Sequence, residues 1–528
     1  MKKIVILYPT ILASHFAPMM QLVDVLLEEG YTVAVAVIDI TMEQDVGDAT
    51  FAATVDRAAS SRRLSVSFHT LPRIRDPPSV THGAGKASTT FGGAPDSPFY
   101  DMHRKNKHET LIMEKHIAKS IHNSSLRLHG RTPLTTYIVP KGTKNLKTGL
   151  SQNLDSICQL MTKQLDLLLI NLELLRRYNK RLRGFLCSMP PGSVHALVVD
   201  VVSVDAFGLR IPVYTFYLTS TSTLAVFLQL PSIRAQGQPS FRELGDAHLN
   251  FHGVPPMPAS HLMSKMLEDP ETEIYKVADG ILVNTFASLE ARAVGSLRDS
   301  WFLPDSKCTI PPVYFIGPLV VESGDGAKGK HECIAWLDEQ PEQSVVFLCF
   351  GSMAEARFSE AQLKEIAVGL ENSGHRFLWV AVGPADPDLD VLLPEGFLER
   401  TNGRGLVVKQ WALQVDVLRH KATGLFVTHC GWNSVLEGIT AGVPMLCLPL
   451  YSEQKMNKVF MVEEAGIGVE VVGWQQGLVR SEEVEARARV TAHKEAATMA
   501  WKNGSSSRSA FSQFLSDAAG IGTGKTRV

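Results

Sequence analysis

The segment Gly424 to Gly442, GLFVTHCGWNSVLEGITAG, constrains the fold more than any other part of the chain. It opens with a short apolar run rich in Val and Phe and bounded by glycine, the pattern of a buried parallel strand. That run stops at His429, Cys430-Gly431-Trp432 supplies a turn, and Asn433-Ser434 opens a helix that stops at Gly442-Val443-Pro444. A buried strand running straight into a helix belongs to an α/β layer structure. It also makes an anion site, because the first N–H groups of a helix lack internal acceptors and lie at the positive end of its dipole.

The side chains around this turn suit a nucleotide carrying a sugar. Asn433, Ser434 and His429 offer donors to a diphosphate, and Glu437 lies one turn further along the same helix face, placed to accept from both hydroxyls of a ribose. Trp411, after the strand-like GLVVK, offers a flat face to a uracil ring, a stacking worth roughly 1–3 kcal/mol. Glu453 and Gln454 follow the next strand, PMLCLPL, and bring groups suited to sugar hydroxyls.

From Trp411 to Gln454 this spacing resembles the signature box of plant family 1 UDP-glycosyltransferases, with Leu413 where that family usually has proline. The resemblance implies that Trp411, Ala412 and Gln414 hold the uridine and Glu437 the ribose. It gives His429, Asn433 and Ser434, with the turn at Gly431, to the phosphates, and Trp432, Glu453 and Gln454 to the sugar. A final Gln in the box implies glucose rather than galactose. Ser352, in a loop after the strand-like SVVFLCF, is expected to donate to the diphosphate.

The chain opens with the strand-like IVILY, a helical stretch from Pro18 to Gly30 and a second strand, TVAVAVID. Such a βαβ start predicts a doubly wound parallel sheet with its ligand beyond the carboxyl ends of the strands. His15 lies in the first connection, where a nearby helix N-terminus disfavours the imidazolium and keeps a neutral base. In the resembling family a His at this place deprotonates the acceptor hydroxyl; here Ser14 precedes it where glycine is usual. The same resemblance assigns Asp200, at the end of VHALVVD, to orient His15 and stabilise its imidazolium, with Asp205 as competitor.

Over 528 residues the chain is 45% hydrophobic and 20% charged with a net charge of −2, which predicts two or three globular domains and no nucleic-acid partner. No apolar run reaches 18 residues, so no membrane span is expected. The opening MKKIVILYPTILASH imitates a leader, but Pro9 and His15 interrupt it and a first strand accounts for it. Seven scattered cysteines without zinc-site spacing read as reduced thiols of a cytoplasmic protein. The GTGKT near the end is not a phosphate loop, since Ala519 stands where the first glycine is required.

Between about 81 and 166 the resemblance lapses into a segment rich in Gly, Ser, Thr, His and Lys, expected to be a mobile insertion. Its histidines show no ligand constellation. Elsewhere the resemblance implies the GT-B architecture, two Rossmann-like doubly wound domains facing a cleft. The expected domains are 1–320 for the acceptor, a linker at 321–341, 342–500 for the UDP-sugar, and a terminal helix and tail at 501–528 returning to the first domain. It implies an inverting, metal-independent glucosyl transfer from UDP-glucose to a phenolic acceptor such as a flavonoid, by a monomer without cofactor. A second reading is a non-catalytic or impaired UDP-sugar-binding protein, because of the insertion and the short connection between Asp200 and Ile211. A third, an NAD-type enzyme or epimerase, lacks the Gly-x-Gly-x-x-Gly turn after IVILY.

Overall fold

A computed structural model describes residues 3–10, 13–38, 55–56, 58–59, 66–72, 79–83, 86–90, 175–201, 203, 211–233, 239–263, 278–299, 302–303, 310–320, 331–351, 360–381, 393–409, 412–470, 493–502 and 504–521. Met1–Pro72 and Asn179–Val528 form one compact unit, and Arg73–Tyr178 a second. Within the second unit the described residues form one antiparallel hairpin and the helical residues 175–178. The rest of the anticipated insertion at 81–166 lies outside the described residues, as do the linker residues 321–330, Ser352, Asp205 and Trp411.

In the larger unit, the first sheet is built on β1 (Ile4–Tyr8), with β2 (Thr32–Ile38) and β3 (Val66–Leu71) on one side. The hairpin strands of the smaller unit are β4 (Ser79–Gly83) and β5 (Lys86–Thr90). On the other side of β1 lie β6 (Val194–Asp200) and β7 (Val213–Tyr217). After the short antiparallel pair β8 (His248–Leu249) and β9 (Met257–Pro258), β10 (Gly280–Val283) and β11 (Val313–Phe315) complete the sheet. Its order is β11-β10-β7-β6-β1-β2-β3, and every pairing is parallel. The strands run outward in both directions from β1 and β6. That boundary is the switch point where ligands of such sheets collect.

Buried residues explain the strands: Val5, Ile6, Leu7 and Tyr8 of β1 are all fully covered, as a sheet with helices on both faces demands. Despite the short connection after Asp200, β6 and β7 pair in continuous parallel register from Leu197↔Val213 to Asp200↔Phe216. The sheet is undisturbed where the carboxylate is aimed.

The first helix corrects the sequence reading. α1 spans Ala13–Glu28, so Pro18 is inside it rather than at its start, and His15 sits in its first turn rather than in a loop. Phe16, Met19, Met20, Leu22, Val23 and Leu26 form its buried face at three- and four-residue spacing. Its end is a Schellman turn: Gly30 adopts φ 80°, its N–H donates to Leu27 O at 2.9 Å, and Tyr31 N–H donates to Leu26 O at 3.1 Å.

Residues 175–188 are helical, and just beyond β7 the helix α2 (Thr221–Ile233) begins, capped from a distance. Glu290, wholly buried, accepts from Thr221 N and Ser222 N at 2.8 Å each and from Ser222 Oγ at 2.9 Å. A carboxylate suits the positive end of a helix. Burial nonetheless holds the Glu290 pKa above the usual carboxylate range, with the hydrogen bonds working the other way.

The second sheet comprises β12 (Val345–Cys349), β13 (Arg376–Val380), β14 (Gly405–Val408), β15 (Thr423–Thr428), β16 (Met445–Cys447) and β17 (Gly468–Glu470). Its order is β14-β13-β12-β15-β16-β17, again all parallel, with the switch point between β12 and β15. Its helices include α3 (Glu360–Ser373), α4 (Gln414–Arg419), α5 (Trp432–Ala441) and α6 (Gln454–Val459). The last helix, α7 (Ser506–Ile521), packs on the first sheet. Its Phe511, Phe514 and Leu515 share a core with Tyr214 and Tyr314, and His195 Nε2 meets the Leu515 carbonyl at 3.0 Å.

Replacing Glu290 by Ala strands two buried N–H groups at the start of α2. A loss of about 2–4 kcal/mol is expected, read as a lower urea midpoint, with Glu290→Gln intermediate because one amide oxygen still accepts.

Candidate active site

The first switch point holds the His15–Asp200 pair that the sequence singled out. His15 Nδ1 and Asp200 Oδ2 stand 2.8 Å apart, the carboxylate fully buried and the imidazole 25% exposed. Asp200 terminates β6 and His15 opens α1 just after β1, so the sheet order itself brings together residues far apart in the chain. Burial, the largest single influence, pulls the His15 pKa down. The Asp200 charge and hydrogen bond and the charge of Glu453 outweigh it and hold the pKa above the ordinary 6.5. This corrects the expectation that the helix dipole would favour the neutral ring; adjacent carboxylates are stronger than a helix end.

At the second switch point His429 follows β15. Its pKa is lowered to about 4 by burial, against a hydrogen bond to the Cys349 backbone, so the ring is neutral. It lies between two glycines: a Cβ at Gly351 would stand 2.7 Å and one at Gly431 2.4 Å from its Nε2. Nδ1 is buried without a protein partner. Cys430 turns the chain with φ 65°, and Gly431 then caps α5 without any side-chain bond. The first N–H groups of α5 are therefore left for a ligand, as an anion site requires.

Three side chains form a cluster on this helix. Gln414 Nε2 donates to Glu437 Oε2 at 2.6 Å and to Ser434 Oγ at 2.9 Å. Desolvation raises the Glu437 pKa to about 7, opposed by the Gln414 hydrogen bond and by the Arg419 charge. Ala412 is buried, its methyl in the core beside Val417 and Leu418. Leu413 has φ −71°, a value proline would also adopt, so the departure from the family pattern leaves the backbone path open.

Other expected residues have some of their polar atoms engaged within the protein. The Trp432 indole lies in the core and donates from Nε1 to Asn284 O at 2.8 Å; only its backbone remains for a sugar or phosphate. Asn433 Nδ2 donates to Ser14 O at 2.7 Å, so one N–H of the amide expected at the diphosphate is engaged and the other is left, while Oδ1 is unpartnered. Gln454 Oε1 accepts from Leu450 N and Tyr451 N at 2.9 Å each, which spends its carbonyl on the loop and leaves the Nε2 donor. Glu453, half-buried ahead of α6, lies close enough for its charge to act on His15.

Asn457 escaped the sequence reading. It is fully buried on α6, donates from Nδ2 to Cys430 O at 3.0 Å and accepts at Oδ1 from Ser220 Oγ at 2.9 Å and Thr223 Oγ1 at 3.2 Å. One amide thus ties the signature turn to the start of α2. Its only signal was its place three residues after Gln454, on the same helix face.

Comparison with known proteins fits this geometry. The family model described as UDP-glucoronosyl and UDP-glucosyl transferase matches residues 257–480. A phloretin 2'-O-glucosyltransferase of Pyrus communis is 42% identical over 366 residues, covering 62% of this chain and 75% of that protein. The chain belongs to the plant family 1 UDP-glycosyltransferases. An anthocyanidin 5,3-O-glucosyltransferase of a Rosa hybrid cultivar is 44% identical over 319 residues, 56% of this chain and 66% of that one. Among solved structures, a UDP-glucosyltransferase of Polygonum tinctorium that glucosylates indoxyl, in complex with 3,4-dichloroaniline, superposes with TM-score 0.69 at 28% identity, covering 99% of each chain. The Medicago truncatula enzyme UGT71G1 complexed with UDP-glucose shares the fold, with TM-score 0.68 at 24% identity over 98% of each chain. The two parallel sheets are those of the GT-B fold that this glycosyltransferase family uses.

Two outcomes follow from the donor half. Ribose hydroxyls favour an ionised Glu437, so UDP affinity is expected to rise with pH through about 7, and Glu437→Gln to remove that dependence in calorimetric titrations. Replacing Asn457 by Leu frees the Cys430 carbonyl, and UDP affinity is expected to fall about tenfold in the same titration.

Proposed function

We propose that this glycosyltransferase carries out an inverting, metal-independent transfer of glucose from UDP-glucose to a hydroxyl of a small phenolic acceptor of the flavonoid kind. The observation that carries the proposal is the His15–Asp200 pair at the carboxyl edge of the first sheet. With Nδ1 bound to Asp200, His15 Nε2 takes the acceptor proton. The acceptor oxygen then bonds to the anomeric carbon as the bond from that carbon to the UDP oxygen breaks. Asp200 stabilises the imidazolium, and the uncapped N–H groups of α5, Ser434 and His429 receive the charge developing on the departing phosphate.

A raised His15 pKa suits this chemistry. Phenols ionise near 10, and a stronger base narrows the gap to them. Glucose as donor sugar, and phenols as acceptors, draw support from the relatives, which include phloretin and anthocyanidin glucosyltransferases. In this reading residues 1–320 serve the acceptor and 342–500 the UDP-sugar, with Trp411 on the uracil, Ser352 on the diphosphate, and Glu453 and Gln454 on the glucose. The protein works as a cytoplasmic monomer. No helix among the described residues is long and apolar enough to cross a membrane.

The test is UDP release from UDP-glucose with a panel of flavonols and chalcones. His15→Ala is expected to lower kcat about 10²–10⁴-fold with UDP affinity retained. The rate should fall on the acid side as His15 protonates. Because Asp200 holds that pKa up, Asp200→Asn should slow the reaction and move the acid limb to lower pH. Wild type that binds UDP and releases none with any acceptor would overturn the proposal.

A further inference from the structure

We infer that Pro18 and Asn433 are positioning residues that act together on His15, Pro18 by freeing the Ser14 carbonyl and Asn433 by capturing it. The inference deepens the reading of His15 as the base and rests on it. In a regular helix the N–H of residue 18 would donate to the carbonyl of residue 14. Proline has no N–H, and its ring crowds that same carbonyl and pushes it away from the helix axis. Pro18 stands inside α1, where such a residue costs about 3 kcal/mol relative to alanine. The carbonyl it leaves open belongs to the residue directly before His15, and it accepts from Asn433 Nδ2 at 2.7 Å.

The donor sits at the start of α5, the helix whose free N–H groups form the anion site. One hydrogen bond therefore joins the turn that carries the base to the helix that receives the leaving phosphate. The body of α1 is fixed by the buried Phe16, Met19 and Met20, but Ser14 is exposed and His15 only partly covered. Two polar bonds on adjacent residues, Asn433 to Ser14 and His15 to Asp200, set that first turn. An error of 1 Å there separates the base from an acceptor held against the donor, and such errors cost up to about 10²-fold in rate.

The test is a double-mutant cycle of wild type, Pro18→Ala, Asn433→Ala and the double variant. It reads kcat at saturating UDP-glucose with a phenolic acceptor, the Kd of UDP, and the thermal midpoint. Pro18→Ala restores the helical donor and should not lower the midpoint. It should leave the Kd within about twofold and lower kcat about tenfold. On the Asn433→Ala background it should change kcat less than about twofold, because the bond it weakens is already gone. An unchanged kcat in Pro18→Ala, or an equal loss on both backgrounds, overturns the inference.

Should Asn433→Ala fail to fold, Asn433→Asp replaces it, since a carboxylate keeps the shape and cannot donate. If wild type transfers nothing to any acceptor, the proposed function fails separately and the cycle is read in thermal midpoints alone. The brace then requires a smaller midpoint loss for the Asn433 variant when Pro18 is also replaced, and equal losses overturn it.

Discussion

Everything at the donor half depends on leaving one helix end unfinished. The N–H groups at the start of α5 bind an anion only if no side chain of the protein takes them, and Gly431 in the capping position provides none. The turn before them must then be held by other means. Asn457 takes the Cys430 carbonyl, the Trp432 indole is anchored to Asn284 O, and the His429 ring fills the space that Gly351 and Gly431 leave by having no Cβ. Each brace reaches outside the strand–turn–helix unit, and Asn457 and Trp432 reach residues of the first sheet's half. Local geometry and the contact between halves are one problem, solved by the same side chains.

Burial acts on both histidines of the cleft, and with opposite net results. His429 has no carboxylate beside it, so desolvation alone brings its pKa to about 4 and the ring stays neutral near the phosphates. His15 meets Asp200 directly and feels Glu453, and these carboxylates overcome the same penalty. The difference follows from topology: a parallel sheet brings the end of β6 beside the start of α1, while the end of β15 faces backbone and glycine. One imidazole is held above its ordinary pKa and the other is a neutral polar wall. Glu437, raised to about 7, follows His429: burial favours its neutral form, and an amide, not a full charge, is its nearest partner.

The sequence revealed those features that depend on short-range pattern. Apolar runs such as VHALVVD and GLFVT marked strands, and the step at His429 marked a strand running into a helix without a side-chain cap. His15 and Asp200 were legible through family resemblance, and their meeting follows once both sit at strand ends beside one switch point. What the sequence concealed was side-chain direction. Nothing in CGWNS states that the indole turns into the core, or that the Asn433 amide reaches a carbonyl in another sheet's half. Pro18 misled for a related reason: proline most often starts a helix, and here it is the sixth residue of α1, with the carbonyl it leaves open taken by the Asn433 amide.

The joint between the two halves combines apolar packing with single polar bonds. Trp432 and Phe460 share a buried cluster with Phe286 and Leu289, Met456 and Val459 share another with Val226 and Leu230, and single bonds from Asn433, Asn457 and Trp432 add direction. A hydrogen bond of this kind contributes about 1 kcal/mol net, whereas a ligand bound at micromolar affinity supplies about 8 kcal/mol. Donor binding therefore commands far more free energy than the bonds that align the cleft. The two apolar clusters hold the halves together, and the polar bonds fix which turn of α1 faces the start of α5.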